Sequence, residues 1–100
     1  MRPHRFHPAA LAEYQAAAVW YAERSAAAAV GFTAAIDDAI DGARELPEAW
    51  PAWPGRTDVR RRTLRRLPDS VIYVIQNDTI VIVAVAHHKR RPGYWLGRMR

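Results

Sequence analysis

"VIYVIQNDTIVIVAVA", residues 71–86, decides the fold: two runs of β-branched and aromatic residues separated by Asn-Asp. Such runs are the mark of strands, and Asn77-Asp78 suits a two-residue hairpin turn, so the spacing predicts an antiparallel pair. Neither run alternates apolar with polar. Continuous apolar character means that both faces of the pair are covered, which requires further elements to pack on it.

Those elements lie upstream. From Ala9 to about Arg24, Leu11, Tyr14, Ala18 and Tyr21 recur at steps of three and four, as in an amphipathic helix, in a segment dense with alanine. Ser25 marks a break and restart. Phe32, Ile36, Ile40 and Ala43 form a second stripe, with Asp37, Asp38, Asp41, Arg44 and Glu45 on the other faces, until Pro47 ends the helix. "HRFH" (4–7) reads as a first strand, with Pro8 opening the helix after it. "PEAWPAWPG" (47–55) is a rigid connector whose Trp50 and Trp53 close the core edge. Val59 to Leu67 reads as an arginine-rich strand. The order is β-α-α-β-β-β: an α+β domain spanning 1–100, with a helical hairpin packed on a small antiparallel sheet.

Composition narrows the chemistry. With no cysteine among 100 residues, disulfide and thiolate chemistry are excluded. The opening "MRPHRFHPAALAEY" lacks the apolar stretch of a secretory signal. The longest apolar run, Ile80–Ala86, falls far short of the ~20 residues that span a bilayer. A cytoplasmic location without membrane contact is therefore expected. Residues 1–50 hold four arginines against seven acids, and residues 51–100 hold eleven Lys/Arg against three, a balance of −3 followed by +8. The second half thus builds a basic surface suited to nucleic acid or an acidic protein segment.

Two basic clusters form that surface: Arg60, Arg61, Arg62, Arg65 and Arg66, then Lys89, Arg90 and Arg91. Strand alternation puts Arg61 and Arg65 on one face and Arg60, Arg62 and Arg66 on the other. Arginine suits bidentate recognition of phosphate or carboxylate. The alternative, an edge strand charged against aggregation, needs fewer than five arginines in seven positions. His87 and His88 diverge at the strand end, and one faces the basic patch, either as an acid–base group or as a residue hydrogen-bonded to the backbone. His4 and His7 point to opposite faces, which disfavours chelation, and no metal or cofactor is expected. After the Pro92-Gly93 turn, Trp95 reads as core and Tyr94 as the functional candidate. No Gly-rich phosphate loop, Ser-His-Asp set or carboxylate pair is present.

"VRRRTLRRLPDSVIYVIQNDTIVIVAVAHHKRRPGYW" (59–95), with "WYAERSAAAAVGF" (20–32) and "AIDGARELP" (39–47) before it, resembles the RelE/ParE superfamily of toxins. These are the growth-inhibiting halves of type II toxin–antitoxin modules, also called plasmid stabilisation proteins. The resemblance covers essentially the whole chain and implies the same β-α-α-β-β-β fold. It also implies a cognate antitoxin that wraps the toxin with an acidic segment, and operator DNA reached through that antitoxin. RelE-like members cut ribosome-bound mRNA with arginines, lysines and a C-terminal tyrosine; ParE-like members inhibit DNA gyrase and need no hydrolytic site.

By that resemblance Arg61, Arg65, His87, His88, Arg90 and Tyr94 are the candidate catalytic residues of a nuclease. Arg60, Arg61, Arg62, Arg65, Lys89, Arg90 and Arg91 are the candidate partner-binding patch. The nucleases carry an arginine just before the central Tyr-containing strand, where this chain has Ser70. Losing a cation that stabilises a pentavalent phosphate removes several kcal/mol of transition-state binding. The expectation is accordingly a ParE-like, gyrase-directed toxin, with ribosome-dependent mRNA cleavage second and an inert antitoxin-binding fold third.

Overall fold

The computed structural model describes residues 1–99. Strand β1 (His4–Phe6) leads directly into helix α1 (Pro8–Arg24), and α2 (Ala26–Glu45) follows after Ser25. The remaining strands are β2 (Ala52–Trp53), β3 (Arg56–Thr63), β4 (Asp69–Gln76) and β5 (Thr79–His87), and Leu96–Met99 forms a short 3-10 helix. The strands lie in the order β1-β5-β4-β3-β2. The α+β architecture is the expected one, with two additions. β2, inside the proline-rich connector, pairs with the edge of β3, and β1 joins β5 in parallel, making the sheet mixed. A parallel partner at that edge follows from the crossover through α1 and α2, which returns the chain on the far side of the sheet.

Local chemistry sets the boundaries. The His7 Nδ1 accepts the Ala9 N–H at 3.0 Å and so caps α1, which accounts for one of the four histidines without a metal. The Ser25 hydroxyl accepts the Ala28 N–H at 2.9 Å, so the residue that ends α1 also caps α2. Asn77 and Asp78 have φ of 50° and 60°, as a primed hairpin turn requires.

Both faces of the β4–β5 pair are buried. On the helix side Val71, Tyr73, Ile80 and Ile82 pack against Phe32, Ile36, Ala39 and Ala43, with Phe6, Tyr14 and Tyr21 stacked toward Phe32. On the opposite face Val59, Ile72, Val81 and Val83 are covered by Trp95, whose ring meets Trp53 edge-on at 5.0 Å. The C-terminal segment is therefore the lid of a second, smaller core. Among the described residues no helix is long and apolar enough to cross a membrane.

Candidate functional site

The arginine strand divides its side chains between two jobs. Arg60 and Arg62 turn toward the helices. Arg60 donates to the Trp50 carbonyl at 2.9 Å, and Arg62 donates to the Asp38 and Ala39 carbonyls and to the Asp38 carboxylate while lying over the Trp50 ring. The absence of a side chain at Gly42 makes room for this stack, since a Cβ there would fall 2.8 Å from Trp50 and closer still to Arg62. These two arginines hold the connector onto α2. Arg61 points the other way, over Trp53 at 5.4 Å, with no carboxylate partner among the described residues. β3 stops at Thr63, so Arg65 and Arg66 leave the strand and sit in the turn before β4, Arg66 with φ of 64°. The expected pairing of Arg61 with Arg65 on one strand face is not formed.

β5 reaches the surface through a bulge. Ile72 pairs with Ala84 but Tyr73 pairs with Ile82, leaving Val83 as an extra residue. The bulge shifts the alternation by one, so Val83 and Ala84 both face Trp95 and the strand end is re-aimed. His88 then reaches the Ser70 hydroxyl at 3.1 Å, which itself donates to the Thr63 hydroxyl at 3.2 Å. His87 turns back on its own loop, where its Nδ1 accepts the Lys89 N–H. A cavity of about 270 Å³ opens here, with Arg61, Arg90 and Arg91 around it and the buried Ser70 in its wall. Of the sequence-derived candidates, the fold brings Arg61, His87, His88, Arg90, Arg91 and Tyr94 together at this cavity. Arg60, Arg62, Arg65 and Lys89 do not line it.

The organising residue of this region is Glu13, which the sequence reading did not single out. Its carboxylate accepts the Tyr94 hydroxyl at 2.6 Å, both terminal nitrogens of Arg98 at 2.8 and 3.0 Å, and the Val85 N–H at 3.1 Å. Arg98 also donates to the Val83 carbonyl. β1 covers β5 only from Ile80 to Ile82, so the next edge groups would lack a strand partner. Glu13 and Arg98 supply the missing acceptor and donor, in place of a neighbouring strand. Arg90 stacks on the Tyr94 ring at 3.9 Å and lies 3.9 Å from Glu13.

Burial alone would raise the Glu13 pKa. The hydrogen bonds from Arg98, Tyr94 and the Val85 N–H outweigh it, and the carboxyl is held below the ordinary value. Tyr94 moves the opposite way. Burial and then donation to the Glu13 anion push its hydroxyl far above the usual phenol range, so the proton stays on the oxygen at neutral pH. Among the described residues no cluster of three or more His, Asp or Glu is placed to hold a metal ion.

Comparison with known proteins agrees with this architecture. The family model of the ParE toxin of type II toxin–antitoxin systems, parDE, matches residues 4–92. Among solved structures, a chain of the chromosomal ParDE toxin–antitoxin system from P. aeruginosa superposes with a TM-score of 0.72 at 19% identity, covering 87% of this chain and 96% of that one. That identity speaks for the fold alone. No curated protein matches. The model spans the strand, the helical hairpin and the basic hairpin end, and the chain belongs to the ParE family of type II toxin–antitoxin toxins.

Proposed function

We propose that this chain arrests bacterial growth by binding DNA gyrase, in the cytoplasm, and that a cognate antitoxin with an acidic segment neutralises it. The supporting observation is the Glu13–Tyr94 contact. A nuclease of this superfamily would need the tyrosine hydroxyl and a ring of cations around a scissile phosphate. Here the hydroxyl donates to a carboxylate that stays ionised, and a phosphate brought to it would meet that negative charge. Ser70 stands where a further cation is needed, and its hydroxyl is engaged with Thr63 and His88. The cavity instead offers Arg61, Arg90 and Arg91 as a charged, rigid surface, which is what an inhibitor bound by shape and charge requires. Operator DNA is reached through the antitoxin.

mRNA cleavage is the second reading, favoured by the convergence of Arg61, His88 and Arg90 on one cavity. Induced expression with separate readouts of plasmid supercoiling and of translation tests the proposal. Growth arrest with loss of negative supercoiling and translation initially intact is expected. Immediate translation arrest with cut messages would favour the second reading, and unimpaired growth at confirmed soluble expression would leave an inert antitoxin-binding fold.

A further inference from the structure

A second groove, of about 450 Å³, runs on the other side of the post-β5 segment, between α1 and the end of β5. Its floor is built from Ala16, Ala17 and Val85, and Trp20 forms its end wall. Positions 13, 16, 17 and 20 share one helix face, and two alanines in their midst leave a channel that a second polypeptide can approach closely. Trp20 is 48% exposed and its neighbour Val19 61%, an apolar area large enough to mark a surface meant to be covered.

The accessible charge at this groove is positive. His87, Lys89 and Arg90 line it, and Lys89 has no carboxylate partner among the described residues. The two acids that reach the groove are already engaged. Glu13 is held by Arg98 and Tyr94, and Asp69, only 4% exposed, accepts the Tyr21 hydroxyl at 3.1 Å. His87 and Arg90 line both this groove and the sheet-face cavity. Arg90 is thus the ridge between them, touching Glu13 on one side and Tyr94 on the other.

We propose that the α1 groove receives an acidic, amphipathic segment of the antitoxin, which lays apolar side chains on Ala16, Ala17 and Trp20, pairs carboxylates with Lys89 and Arg90, and draws Arg90 away from the sheet face. The inference rests on the toxin–antitoxin reading and adds to it a division of surfaces. The antitoxin occupies one side of the ridge, the target the other, and Arg90 couples them. Neutralisation then needs no contact with Arg61.

The test uses the full chain and, as probe, the product of the reading frame adjoining its gene, in a growth assay and a binding titration. Ala16→Glu is exposed, keeps helix propensity and places a negative charge on the groove floor. It should leave growth arrest intact while weakening the complex roughly a hundredfold, as loss of a central contact does. Ala12→Glu, on the same helix but outside the groove, should bind like the unsubstituted chain. Arg61→Ala should do the reverse of Ala16→Glu, losing arrest and keeping the complex. Unchanged affinity in both Ala16→Glu and Ala17→Trp would overturn the groove assignment and leave the toxin–antitoxin reading standing. Equal weakening by Arg61→Ala would overturn the division of surfaces. An unsubstituted chain that neither arrests growth nor binds the probe would overturn that reading, and the groove assignment with it.

Discussion

Four donors converge on the Glu13 carboxylate, from β5, from Tyr94 and from Arg98, and their loss is costly because the partners remain buried. Glu13→Ala leaves a largely buried guanidinium without its anion, a loss of about 3 kcal/mol by analogy with broken buried pairs. Chemical denaturation should register it, and should show the C-terminal segment loosened first. The pH dependence has a defined sign. The folded-state pKa of Glu13 lies below its model value of 4.5, so the stability it contributes is complete above that value and is lost as pH falls through the lowered one. A pH titration of stability should therefore fall more steeply below about 4.5 for the unsubstituted chain than for Glu13→Gln. Tyr94→Phe removes one hydroxyl and keeps the ring under Arg90, at about 1.5 kcal/mol for a hydrogen bond to a charged group.

Sequence legibility also divides at this scale. Trp95 as core, Tyr94 beside Arg90, and the opposite faces of Arg61 and Arg62 all follow from strand alternation and from aromatic size. Glu13 was not legible, because it is one acid on an alanine-rich helix and its partners lie 72 to 85 residues further along. No local pattern links them. A surface acid and a buried clamp look alike until the fold closes.

Among the elements, the helices and the β4–β5 hairpin were readable because period and turn chemistry agree there. The end of β3 was not. Arg65 and Arg66 continue the composition of the strand, but Leu64 is drawn into the helix-side core and the chain turns, with Arg66 at positive φ. The bulge at Val83 is equally silent in a uniform run of β-branched residues, yet it decides which way His87 and His88 point. A steric feature makes the α2–connector junction testable. Gly42→Ala drives a methyl group into the Arg62–Trp50 stack and should destabilise the fold by about 1–3 kcal/mol, as overpacking does. Thermal unfolding would measure it. Gly31, whose added Cβ meets nothing within 4 Å, is the control, and Gly31→Ala should be neutral or stabilising.

For the whole molecule, the net charge of +5 hides a basic half that carries the hairpin end. Association with an acidic partner should slow several-fold between low and physiological salt as the field is screened, with dissociation changing less. An association rate indifferent to salt would mean that the basic surface does not guide docking. The most direct measurement of the central claim compares the purified chain and its Tyr94→Phe variant in two assays run side by side, gyrase supercoiling and ribosome-dependent mRNA cleavage. Equal inhibition of gyrase by both proteins, with messages intact, is the predicted result. Message cleavage by the unsubstituted chain that disappears in Tyr94→Phe would contradict the account.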